Sequence, residues 1–177
     1  MSRLAQLAPL ISALNHRLGA FFISYLALLM AFILLYEIIA RYLFSAPTIW
    51  APELAQLLFG AYVMLSGGYL LAHKGHVNVD LIYNRFSPRG RAAVNLLTSF
   101  LFFAFLSVLL LEGWTMARES VAMLETSSSA WNPPIWPLKL TIPLGATLIL
   151  LQGLADTLVD LDVLFNGPAI EEHGNDA

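Results

Sequence analysis

The chain has 177 residues, of which 58% are hydrophobic and only 12% charged. A net charge of -3 without a basic stripe argues against nucleic acid as a partner. The absence of cysteine excludes disulfides, thiolate metal sites and cysteine nucleophiles. Four long apolar runs use up most of the length and leave no segment able to bury a soluble core of its own. The composition is that of an all-α integral membrane protein surrounded by lipid bilayer. In such a chain the few charges carry more information than the many leucines.

Residues 1–17 place Leu4, Leu7, Leu10, Ile11 and Leu14 at helical spacing behind Arg3 and predict an interfacial helix. A cleaved signal peptide does not fit. The apolar run that follows is too long for a signal core, and no small-residue cleavage site is evident. The membrane domain is expected over residues 18–160. Its first span covers about 18–44 and holds Glu37 and Arg41, four apart and so on one helix face. The simplest reading is an intrahelical ion pair with Arg41 snorkelling outward; a grip on another subunit and a proton-coupling carboxylate are the alternatives. An adjacent arginine suits the last of these poorly, since it favours the ionised carboxylate.

A tight turn over residues 45–51 leads to Trp50 and to a second span at about 52–72. Pro52 suits a helix start, and Glu53 complements the positive end of the helix dipole. Gly60, Ala61, Ser66, Gly67 and Gly68 give this span a small-residue surface for close helix contact. His73, Lys74, His76, Asn78 and Asp80 follow as the densest polar group. Two histidines and a carboxylate resemble metal ligands, but nothing elsewhere completes a coordination shell, so a structural or interfacial role is expected and no metal. A bis-histidine haem is excluded because His16 and His173 lie outside the spans, leaving no cofactor to assign. Val77, Val79, Leu81, Ile82 and Phe86 predict a segment lying in the membrane interface.

Pro88 and the arginines after it open a third span at about 92–117, with Glu112 well inside. Its expected partners are Arg41 or Lys139 on neighbouring helices, in a structural polar cluster; a substrate or ion path is the alternative. The connection 119–135 contains Trp131, Asn132, Pro133 and Pro134. Its prolines are expected to prevent regular structure, while Trp131 and Trp136 suit the headgroup boundary. A fourth span at about 136–158 precedes an acidic tail, 161–177, expected to be disordered. Arg3, Arg17, Lys74, Arg85, Arg89 and Arg91 lie on one side of the four spans, against Arg41, Arg118 and Lys139 on the other. That asymmetry places both termini in the cytoplasm.

Arg41-Tyr42 closing the first span, Trp50 with Glu53 opening the second, and His76-Val77-Asn78-Val79-Asp80 behind it form an ordered series. It continues through Pro88-Arg89-x-Arg91, the block from Trp131 to Lys139, Ile142-Pro143-Leu144-Gly145 and Leu151-Gln152-Gly153. In this order and spacing, over roughly residues 18–157, the chain resembles the small membrane subunit of tripartite ATP-independent periplasmic (TRAP) transporters. The resemblance implies a bacterial inner-membrane protein that braces a large membrane subunit. That large subunit would move an organic acid with sodium, after delivery by a periplasmic binding protein. The block around Trp131 and Trp136 looks like that of systems handling oxo or hydroxy carboxylates. The residues expected to serve structure or subunit contact are Glu37, Arg41, Trp50, Glu53, His76, Asp80, Glu112, Trp131, Trp136 and Lys139, none of them catalytic. Two other readings stand beside this one: a small proton-coupled exporter using Glu37, and a membrane anchor of an oxidoreductase.

Overall fold

The computed structural model describes residues 8–72 and 87–166. Among these the chain forms four helices: α1 (Ala8–Leu43), α2 (Ala51–Ala72), α3 (Pro88–Ala122) and α4 (Trp136–Asn166). Three contain stretches long and apolar enough to cross a membrane: Ile23–Leu43, Ala51–Leu71 and Arg89–Ala122. The fourth helix has 31 residues, but Lys139, Gln152, Asp156, Asp160 and Asp162 dilute its apolar character.

Several boundaries differ from those the sequence suggests. α1 runs for 36 residues without a break between the expected interfacial helix and the first span. At 1.5 Å per residue it is about 54 Å long, well beyond the ~30 Å of hydrocarbon. α3 continues past residue 117 because Arg118 and Glu119, though charged, are good helix formers. α4 likewise continues through residues 161–166, which therefore belong to a helix and not to the tail. The polar stretch with His76 and Asp80, and the interfacial segment after it, lie outside the described residues. So does the acidic end of the chain.

The start of α3 has a clear local cause. Ser87 is the N-cap, its hydroxyl accepting the Gly90 amide at 3.2 Å, and Pro88 takes the first helical position, where a missing N–H loses nothing. The same helix ends with Leu124 in the left-handed region (φ 48°). The Glu125 amide reaches back to the Ser120 carbonyl and the Leu124 amide to that of Val121. α4 meanwhile passes through Pro143 without breaking. Proline denies the Lys139 carbonyl its usual helical partner, yet the turns on either side keep the helix continuous.

Packing is inside-out relative to a soluble bundle. The buried side chains are mostly small: Ala40, Ala51, Ala55, Ser66, Ala92, Ala117, Ser120, Ala146 and Ala155. The large apolar ones, such as Tyr25, Phe32, Phe100, Phe105 and Trp114, face outward. This is what lipid permits, since hydrocarbon solvates leucine and phenylalanine while small residues let helix backbones approach. α4 is the hub, with contacts to α1, α2 and α3, while α3 packs chiefly on α4 and α1 pairs with α2.

Glycines set the closest approaches. A Cβ on Gly145 of α4 would meet the Met64 carbonyl oxygen of α2 at 2.3 Å, and one on Gly153 would meet the Phe102 ring of α3 at 2.2 Å. A Cβ on Gly60 would touch only the mobile tip of Leu138, at 3.0 Å. Gly145→Ala should therefore push α2 and α4 apart and lower stability by about 2 kcal/mol or more, because backbone cannot give way. Gly60→Ala should lose less than about 1 kcal/mol. Thermal unfolding in detergent should rank the two variants in that order.

Candidate functional site

Three carboxylates, Glu37, Glu53 and Glu125, lie at one end of the helices, where the α1–α2 turn and the α3–α4 connection lie together. Three ionic or hydrogen-bonded clamps form there. In the first, Glu37 is buried at 5% exposure and receives four donors: Arg41 Nε at 3.0 Å, Arg41 Nη2, the Thr48 amide at 3.1 Å and the Thr48 hydroxyl. Thr48 Oγ1 also accepts the Ala51 amide at 3.3 Å, so one hydroxyl links α1 to the first turn of α2. Trp50 stacks on Tyr36 with ring centroids 5.7 Å apart and packs against Ile33, Ala51 and Ala55. The turn is thus held by a carboxylate, a threonine and an aromatic pair.

In the second clamp, Glu53 in the first turn of α2 accepts from the hydroxyls of Ser127 and Ser129, both at 2.5 Å. Its carboxylate does more than complement the helix dipole, for it ties the α3–α4 connection onto α2. In the third, Lys139 of α4 donates to Glu125 at 2.5 Å. The Lys139 hydrogen bond, followed by the nearby Ser120 hydroxyl, holds the Glu125 carboxyl below its ordinary value of 4.5. Ser120 Oγ itself is buried and makes no well-formed hydrogen bond.

Residues 123–135 are ordered by these clamps despite their prolines. An antiparallel bridge joins Thr126 and Pro134, with the Ser127 amide on the Pro133 carbonyl at 2.9 Å and the Ile135 amide on the Glu125 carbonyl at 3.0 Å. Proline lacks a donor but keeps its acceptor, and the hairpin uses only the acceptor. Asn132 makes the bend at φ 52°, a conformation its short polar side chain tolerates. Trp131 is half-buried beside this bend, and Trp136 begins α4.

The expected partnership of Glu112 with Arg41 or Lys139 does not form. Arg41 is engaged by Glu37 and Lys139 by Glu125, each through a partner closer in sequence. Glu112 is exposed on α3, away from the α4 contact, and makes no ion pair or hydrogen bond among the described residues. Conversely, the sequence did not single out Thr48, Glu125 or the bond of Glu53 to Ser127 and Ser129. At the other end of the helices, Gln152 is almost fully buried. Its Nε2 donates to Ser12 Oγ at 3.1 Å and Asp156 Oδ1 at 3.0 Å, pinning the early part of α1 to α4. A glutamine inside an apolar run was the available signal for this contact.

No group of three His, Cys, Asp or Glu residues that could hold a metal occurs among the described residues. Two shallow recesses open on the surface, one lined by Tyr36, Ile39, Ala40, Phe44 and Ala46, the other by Trp114, Ala117, Arg118, Val121 and Leu140. Neither brings several polar groups together as a substrate site would. Long apolar helices, fastened to one another through hydrogen-bonded carboxylates, define a helical membrane protein.

The family model described as "Tripartite ATP-independent periplasmic transporters, DctQ component" matches residues 30–162, and the chain belongs to that family. The family is a transporter component and not an enzyme family, and it operates with a DctM membrane component and a periplasmic binding protein. A search of curated proteins gave no match.

Thr48→Val removes the hydroxyl that serves both Glu37 and the Ala51 amide. It should destabilise the protein by about 1–3 kcal/mol, whereas Thr48→Ser should retain most of the stability; equilibrium unfolding in mild detergent reads the difference. A second expectation concerns acid. Because the folded Glu125 carboxyl titrates below its unfolded counterpart, its stabilising contribution is present above 4.5 and is lost as pH falls through the lower folded value. Tryptophan fluorescence from Trp131 and Trp136 should therefore change on acidification below 4.5, and Glu125→Gln should flatten that part of the titration.

Proposed function

We propose that this chain is the small permease subunit of a TRAP-type transporter in the bacterial inner membrane, where it braces the large membrane subunit. The large subunit carries an organic acid inward with sodium, and a periplasmic binding protein delivers that acid to the outer face of the pair. In this reading the fourth helix crosses the bilayer with the other three and both termini lie in the cytoplasm, an orientation that the Lys and Arg distribution supports. The clamps built on Glu37, Glu53 and Glu125 then face the periplasm.

One observation carries the bracing role. Among the described residues, three of the four buried polar side chains, Glu37, Ser66 and Gln152, are committed to hydrogen bonds within the chain, the Ser120 hydroxyl being the exception. A carrier would instead converge unwound backbone and polar groups on a midplane cavity. The described helices are continuous, even through Pro143. The exporter reading is less well supported, because its candidate coupling group, Glu37, is already engaged by four donors within the chain.

Reconstitution into liposomes with an inward sodium gradient and ligand-loaded binding protein tests the proposal. Uptake should require both membrane subunits together. Accumulation in vesicles that contain this chain alone would refute the bracing role and return Glu37 and Glu112 to consideration as coupling residues.

A further inference from the structure

α3 presents two unlike faces. Toward α4 it shows a stripe of small or modest residues at seven-residue spacing, Ala92, Ser99, Leu106, Gly113 and Ser120, the spacing that keeps a seam facing one neighbour. Away from α4 run Leu97, Leu101, Phe105 and Val108, all 60–79% exposed. Their spacings of four, four and three place Glu112 next in the same row, four residues on. A carboxylate therefore stands in line with an apolar row on an exposed face of α3.

Lipid is a poor neighbour for it. Glu112 lies ten residues before the end of α3, about 15 Å along the axis. The next charged residues outward, Arg118 and Glu119, are six and seven positions away, about 9–10 Å, and a glutamate side chain is shorter than that. The contrast with α1 is instructive. Its outward face, with Tyr25, Leu28, Phe32 and Ile39, carries no charge between Ile23 and Ala40, because Glu37 is turned inward and paired. Each helix thus presents a different surface: α1 a face fit for lipid, α3 a face whose carboxylate wants a cation.

We infer that the outward face of α3 docks a membrane-spanning helix of the large subunit, and that this helix brings a lysine or arginine to Glu112. A second copy of this chain does not meet the need. A two-fold axis along that row would set Glu112 against its own counterpart, and Arg118 lies about 9 Å further along the axis. The occupant is a different chain with a basic residue at that depth. This assignment rests on the bracing role proposed above and adds the face and the charge that make the contact.

The chain contains no cysteine, so thiol chemistry on it has no background, and a photo-reactive phenylalanine analogue placed at Phe105 or Phe32 gives an equally clean comparison. With the full-length chain co-expressed beside its large subunit, irradiation should link position 105 to the large subunit and leave position 32 linked to lipid alone. Glu112→Gln should reduce the co-purified large subunit by on the order of tenfold, while the variant itself accumulates in membranes and melts as the parent does. Glu112→Lys should reduce it further. Adducts from position 32 with silence at 105, or an unchanged yield with Glu112→Gln, would overturn the inference and leave the bracing role standing. An adduct between two copies at position 105 would overturn it in favour of self-association. Failure of the parent chain to bring down any large subunit would remove the bracing role and this inference together.

Discussion

The close seating of α4 against its neighbours is the contact on which the rest of the molecule depends. Between helices in lipid there is no hydrophobic drive to associate, because hydrocarbon receives a leucine as readily as another helix does. What remains is van der Waals attraction, which acts only at short range and so needs the backbones to come close. Gly145 supplies that closeness beside Met64, and Gly153 supplies it beside the Phe102 ring. With α4 touching α1, α2 and α3, every other placement follows from its position. Large apolar side chains are then free to point outward, which is where they are found.

The clamps act on a different part of the problem. Glycine faces set how near the helices lie but allow them to slide, since apolar surfaces carry little directional information. Hydrogen bonds to ionised groups are directional and strong, and they fix register. Glu37 with Thr48 sets α1 against α2, Glu53 with Ser127 and Ser129 sets the α3–α4 connection against α2, and Glu125 with Lys139 closes that connection on itself. Gln152 with Ser12 performs the same task at the far end. The helices are therefore pinned at both ends and packed closely between.

This economy fits the bracing role proposed above. A carrier must keep two arrangements near in energy, which requires loosely held elements and unsatisfied groups around a cavity. Here the buried carboxylate and the buried amide are satisfied internally, favouring a single arrangement. Glu112 differs from these, standing exposed on α3 without an ion pair or side-chain hydrogen bond among the described residues. A closely packed bundle with an exposed carboxylate on α3 fits the contact with a larger neighbour proposed above.

Much of this was legible in the residues themselves. Hydropathy set the helices, because hydrocarbon admits few ways of satisfying a backbone, and the helical repeat placed Glu37 beside Arg41 within one element. The glycines of α2 announced a close contact. Boundaries failed where helices run on past their apolar stretches, as at Arg118 and Asp162, because hydropathy reports apolar length and not the end of a helix. Partners failed where the chain had to fold back. Nothing local told that Glu125, not Glu112, would take Lys139, or that Thr48 would complete the shell of Glu37, eleven residues away. Residue chemistry determined which groups needed partners, since burial without one is costly in any fold. Tertiary structure alone decided which partner each one met, because hydrogen bonds act over about 3 Å and that distance is set by how the helices pack.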